Sequence, residues 1–213
     1  MVVLNIAVFV YELTLGAAGA ERFIAAFALV PKRLFVHDAA AISGVPVAAT
    51  LVTSMFLHGG FLHIAGNMLY LWIFGNNVED AMGRTRFVVF YLLCGAFASY
   101  AHAFMNSSSL TPMIGASGAV SGVLGAYLMI YPRARVVTLV LIGFYMRAVE
   151  VPAMIVLGLW IALQFLNALV AGTAAGGVAW YAHIAGFVAG IALIGLFKRA
   201  DVPFGGGRSS RYL

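Results

Sequence analysis

Apolar residues along this chain come in long unbroken blocks, and the polar positions cluster between the blocks instead of alternating with them. That pattern predicts membrane helices, because a half-buried strand would alternate and a soluble helix would keep one polar face. Taken in order, the predicted spans cover about residues 2–15, 62–74, 87–104, 115–131, 152–170 and 178–197. Residues 16–49 are moderately apolar but broken by Pro31, Gly44 and Pro46, so they read as a long loop with short amphipathic pieces lying on the membrane. Residues 75–86 read as a short charged turn, in which Glu79 can pair with Arg84 or Arg86. Residues 136–145 are apolar but too few for a crossing, and predict a re-entrant or interfacial segment.

Composition sharpens this into a class. Of the 213 residues, 63% are hydrophobic and 9% charged, against about 25% charged in a soluble domain. The expected fold is an all-α membrane protein, a six-transmembrane helical bundle with a long interfacial first loop. Residues 1–199 form one membrane domain, and 200–213 a short, disordered cytoplasmic tail. The net charge of +5 does not point to nucleic acid, since the basic residues are scattered at the ends of apolar blocks. They do set orientation. With six spans, Arg84, Arg86, Arg133, Arg135, Arg147, Lys198, Arg199, Arg208 and Arg211 fall on one side, and Arg22, Lys32 and Arg33 on the other. Both termini are therefore expected in the cytoplasm. The lone Cys94 reads as a small core residue, and the first block lacks the basic flank of a cleaved signal.

Against this apolar background a few polar side chains stand out. Ser117 lies in Gly115-Ala116-Ser117-Gly118, at the start of the fourth span. The backbone N–H groups of a first helical turn have no intrahelical partner, so a hydroxyl there sits beside unused donors, as a serine nucleophile requires. The plainer reading is a packing face of small residues, Ser117, Ser121 and Gly125. His183 lies about one turn into the sixth span, above a Gly186-x-x-x-Gly190 face that permits close helix contact. His63 and Asn67 share a face of the second span, with His58 just before it. In the expected orientation spans two, four and six all start at the outer face, so these groups lie at one depth. If the Ser117–Ser121–Gly125 face meets Gly186 and Gly190, imidazole and hydroxyl can touch. No acid lies in the fourth or sixth span, which predicts a Ser–His dyad instead of a triad. His58, His63 and His183 could hold zinc, but no His-Glu-x-x-His pattern or nearby carboxylate accompanies them, and neither a metal nor another cofactor is expected. His102, near the far end of the third span, reads as a solvated interfacial residue.

The motifs His58-x-x-x-x-His63-x-x-x-Asn67, Gly115-x-Ser117-Gly118 and Ala182-His183-x-x-Gly186-x-x-x-Gly190, in this order on alternate spans, resemble the rhomboid family of intramembrane serine proteases. The turn Glu79-Asp80-x-x-Gly83-Arg84 is similar to the family's as well. The resemblance implies an endopeptidase that cuts the transmembrane helices of single-span membrane proteins near the outer boundary, within membrane lipid. It implies Ser117 as nucleophile and His183 as base, with an oxyanion hole formed by His63, Asn67 and the Ser117 N–H. It makes His58 a structural or water-organising residue at the cavity mouth, and has the fifth span and the following loop gate entry. The expected location is the plasma (inner) membrane of a prokaryote. Some members carry an aromatic residue one turn after the serine, where this chain has Ser121, so the means of holding the His183 ring is open at this stage.

Overall fold

The computed structural model describes residues 1–36, 44–142, 145–171 and 179–206. Each predicted span has a helix at its core: α1 Val2–Thr14, α5 Phe61–Met82, α6 Arg84–Met105, α7 Ser117–Ile130, α8 Ala153–Ala171 and α9 Trp180–Phe197. Among the described residues, α6, α8 and α9 are long and apolar enough to cross a membrane. The stretch Val47–Phe56, which holds α4 Thr50–Thr53 and is bent by 83° against α5, makes a fourth if the two count as one span. Helices α1 and α7 have only 13 and 14 residues. Length and apolarity thus give three or four crossings where the sequence pattern predicts six.

Helix α7 is the axle of the bundle, with every residue from Gly118 to Tyr127 buried. Small residues make that possible. A Cβ on Gly186 would land on the Gly118 carbonyl, and one on Gly190 on the Gly122 carbonyl, so α7 and α9 touch backbone to backbone. On the other side, a Cβ on Gly118 would come within 2.8 Å of the Ala98 Cβ of α6, and one on Gly122 within 2.7 Å of Cys94 Sγ. Cys94 is a buried free thiol in this seam. The face that meets α9 most closely is therefore Gly118–Gly122–Gly125, flanked by the predicted Ser117–Ser121–Gly125 face, whose Ser121 Cβ would lie 3.3 Å from a Cβ on Gly186. The outer surface carries exposed Leu159, Leu166, Val188 and Leu196, apolar area of the kind a bilayer covers.

Four expectations are corrected. The charged turn 75–86 shrinks to Gly83, because α5 continues through Glu79 and Asp80 to Met82; Gly83, at φ +88°, is the residue free to break the chain direction. The Glu79–Arg84 pair does form, at 3.4 Å, but Arg84 is 91% exposed and the contact is weak. The first of the amphipathic pieces in the long first loop is a full helix, with α2 Gly16–Phe27 following α1 after one residue and α3 Pro31–Leu34 beyond it. This layer is tied to the strand entering α7 by paired Leu29 and Met113 N–H···O bonds of 3.1 and 2.7 Å, and by Lys32 N–H to the Ser109 carbonyl at 2.9 Å. Thr53 Oγ1 donates to the Phe27 carbonyl at 2.7 Å. Residues 37–43 lie outside the described residues.

The fold is not all-α. Strands β1 Arg135–Ile142 and β2 Tyr145–Pro152 form an antiparallel hairpin, pairing Arg135 with Pro152 through Ile142 with Tyr145. The run 136–145 was expected to be re-entrant or interfacial; its β-branched Val136, Val137, Thr138 and Val140 favour a strand over a helix. The tail is ordered in its first part. Arg199 N–H donates to the Ala81 carbonyl at 2.8 Å, Lys198 Nζ to the Val202 carbonyl at 2.8 Å, and Val202 is buried. Residues 207–213 lie outside the described residues.

Candidate active site

The loop that carries Ser117 is shaped by Gly115. Its φ is +121°, a conformation side-chain-bearing residues rarely adopt. Its N–H donates to the Ser54 carbonyl at 2.9 Å. A Cβ there would sit 2.6 Å from His63 Nε2 and 3.8 Å from Asn67 Nδ2. Gly115 therefore lets two side chains of α5 close over the start of α7. That start has no side-chain cap, and the first intrahelical bond of the turn is Val120 N–H to the Ala116 carbonyl at 2.9 Å. The N–H groups of residues 117–119 are left for other acceptors.

His183, from the first turn of α9, places Nε2 2.8 Å from Ser117 Oγ. The backbone contact of α7 with α9 sets this distance, since Gly118 and Gly186 lie immediately beyond Ser117 and one turn below His183. Ser121 does not reach the imidazole; its hydroxyl donates to the Ser117 carbonyl at 2.7 Å. Two indoles flank the His183 ring: Trp160 of α8 at 6.0 Å between centroids, and Trp180 edge-on at 6.1 Å.

Ser117, His183, His63 and Asn67 line one cavity of about 650 Å³. His63 Nδ1 accepts a bond from the Gly59 N–H at 3.4 Å, which puts its proton on Nε2, the nitrogen beside Gly115. Asn67 Nδ2 is buried with no hydrogen-bond partner among the described residues. Two side-chain donors thus stand against Gly115, two residues before Ser117, in the cavity that Ser117 also lines. His58 stands elsewhere. It is buried against His63 at 5.1 Å between ring centroids and is not part of the cavity wall. In the break before α5, outside the spanning helices, burial lowers its pKa to about 4, helped by the neighbouring His63 and opposed by a bond to the Phe56 backbone.

Two residues escaped sequence reasoning. His102, read as a solvated interfacial residue, lines the cavity with a buried Nδ1. Gln164, a buried amide of α8, has its Oε1 2.8 Å from His183 Nδ1. The available signal was its polarity, because an amide inside an apolar span is costly without a partner.

A sequence profile of the Rhomboid domain matches residues 47–200, which takes in every motif of the cavity. Rhomboid protease GluP of Bacillus subtilis is 42% identical over 93 residues, 44% of this chain and 18% of that protein. RHOMBOID-like protein 5 of Arabidopsis thaliana is 37% identical over 78 residues, 37% of this chain and 25% of that protein. Rhomboid protein 1, mitochondrial, of Saccharomyces cerevisiae is 32% identical over 95 residues, 43% of this chain and 28% of that protein. The matched segments span between 18% and 28% of these curated relatives. The profile match over most of the chain, with the buried small-residue bundle described above, makes this protein a multi-pass integral membrane member of the rhomboid family.

Proposed function

We propose that this protein is an intramembrane serine endopeptidase that cuts transmembrane helices of single-span membrane proteins near the outer membrane boundary. The observation that carries the reading is the 2.8 Å contact of Ser117 Oγ with His183 Nε2, in the cavity that His63 and Asn67 also line. Ser117 attacks the scissile carbonyl carbon while His183 Nε2 takes the hydroxyl proton. The oxyanion accepts bonds from the Ser117 N–H, His63 Nε2–H and Asn67 Nδ2–H. His183 then protonates the leaving amine. In the second half it removes a proton from water, which attacks the acyl-serine and frees the enzyme.

The six-crossing topology belongs to the same proposal. A 14-residue α7 is about 21 Å long, shorter than the roughly 30 Å hydrocarbon core. Buried on all sides by other helices, it need not meet both surfaces. Ser117 at its outer end then lies below the headgroups, at the floor of a cavity that water can enter. The basic residues support a cytoplasmic placement of both ends, in a prokaryotic plasma membrane, with α8 as the gate through which a substrate helix passes. Of the α6, α8 and α9 spans, α8 is the least buried in the bundle.

The test is incubation of purified wild-type and Ser117→Ala protein with a panel of single-span substrates, the cut sites being read by mass spectrometry. Wild-type cleavage within or beside the span, lost in Ser117→Ala, is the expected result. Equal cleavage by both proteins would dismiss Ser117 as nucleophile, and no cleavage by either would mark a rhomboid that does not cut.

A further inference from the structure

We propose that Gln164 is the positioning residue of His183, keeping the ring proton on Nδ1 and the Nε2 lone pair towards Ser117; this rests on the reading of Ser117 as nucleophile. The argument is one of donor and acceptor inventory. Gln164 Nε2 donates to the Trp160 carbonyl, one turn earlier in α8, at 3.2 Å. A backbone carbonyl has lone pairs and no proton, so only the NH₂ end of the amide can face it. The oxygen end must then face His183, and it lies 2.8 Å from Nδ1. An amide oxygen only accepts, so Nδ1 carries the single proton of a neutral imidazole. Nε2 is left bare, and Ser117 Oγ at 2.8 Å donates to it.

Turning the amide over would set two carbonyl oxygens face to face at Trp160. It would also offer NH₂ to Nδ1 and force the proton onto Nε2, where the ring cannot take the serine proton. The direction of the whole relay therefore starts at a carbonyl that cannot be reversed. A carboxylate could orient the ring equally well, but a charge in this apolar helix would be costly. The amide does the same orienting without a charge. Together with the Trp160 indole, whose ring centroid is 6.0 Å from that of His183, the amide supplies a hold on the imidazole that the sequence pattern leaves open. The titratable groups facing His183 are His102 of α6 and His63 of α5; neither touches Nδ1 among the described hydrogen bonds.

The test uses the full chain in detergent and a fluorophosphonate probe, which needs no known substrate. Labelling of the wild type that vanishes in Ser117→Ala is the baseline; labelling that survives in Ser117→Ala defeats the nucleophile reading alone. Gln164→Leu removes the acceptor. It is expected to lower the limiting labelling rate at least about tenfold, part of the 10²–10⁴ that general-base catalysis supplies, with the probe's saturation constant unchanged. Gln164→Glu keeps an oxygen on Nδ1. It should stay within a few-fold of wild type, and the acid limb of its pH–rate profile should move to higher pH as the added charge favours the imidazolium. A Gln164→Leu rate equal to wild type would overturn the proposal. So would equal losses in both variants alongside a common drop in thermal midpoint. Nitrogen-15 NMR of the His183 ring decides even if Gln164→Leu does not fold or Ser117 is not the nucleophile. The proton on Nδ1 in wild type is the expected result, and the proton on Nε2 would overturn the assignment.

Discussion

Gly186 has no room for a single extra carbon, because its Cβ would occupy the position of the Gly118 carbonyl oxygen. The obstacle is backbone on the partner helix, so it cannot be relieved by a rotamer change. Gly186→Ala must push α9 off α7, and His183, one turn away, moves with it. Overpacking of this kind costs about 1–3 kcal/mol. The expected outcome is a lower thermal midpoint together with at least tenfold slower labelling of Ser117 by a fluorophosphonate, a rough minimum for a misplaced base. Gly158→Ala is the control. Its Cβ would meet nothing within 4 Å on α8, and alanine is the better helix former by about 1 kcal/mol, so neither quantity should fall.

Gly115 is a different case, since both conformation and space exclude a side chain there. At φ +121° an alanine is strained, by roughly 1–3 kcal/mol. Its Cβ would also displace His63 Nε2. The Ser117–His183 contact lies on the other helix pair and is not directly touched. Gly115→Ala is therefore expected to slow the limiting rate of substrate cleavage more than it weakens substrate binding. A change confined to KM would show that Gly115 shapes the cavity without placing an oxyanion donor.

Much of this site is legible in the chain because polar groups in a bilayer are expensive and must be brought together. Ser117, His183, His63 and Asn67 announce themselves in that way, and the orientation expected from the basic residues puts them at one depth. The seam between α7 and α9 is less legible. Ser121 and Gly125 are small, as are Gly118 and Gly122, and a turn of about 100° per residue separates two faces that composition alone cannot rank. The hairpin is obscured for a related reason: a short apolar run carries no mark of helix or strand until its β-branched residues are weighed. Gln164 is hard to single out because it carries no charge, and an amide in an apolar span shows its partner only once α8 and α9 are packed together. The first loop conceals the length of α2 because the breaks at Pro31, Gly44 and Pro46 mark the segment as irregular, while all of them fall after α2 has ended at Phe27.

Asn67 and His63 are expected to act as a pair. Asn67 Nδ2 is buried without a partner among the described residues, so its desolvation has no return until an acceptor arrives. Asn67→Ala should lower the cleavage rate by about 10²–10³, and the unreacted protein should unfold no earlier than wild type. His63→Ala removes the other side-chain donor. The double variant should lose less than the product of the two single losses, because groups that hold one oxyanion do not contribute independently. Strict multiplicativity in a rate measurement on all four proteins would place the two side chains at separate tasks.

His58 predicts how the fold responds to acid. It is buried beside His63, and its pKa is lowered from the ordinary 6.5 to about 4, chiefly by burial. Between these values the unfolded chain binds a proton at this site and the folded chain does not. Stability therefore rises with pH across the window. Its contribution is fully present above about 6.5, declines as the pH falls, and levels off below about 4. Thermal midpoints of wild type and His58→Phe, measured in detergent from pH 7.5 to 3.5 (about one unit beyond each end of the linkage window), isolate it, because the other histidines titrate in both proteins. The wild-type midpoint should fall more steeply than that of the variant as the pH drops through the window, and parallel curves would show that His58 is already protonated, or already solvated, in the folded chain.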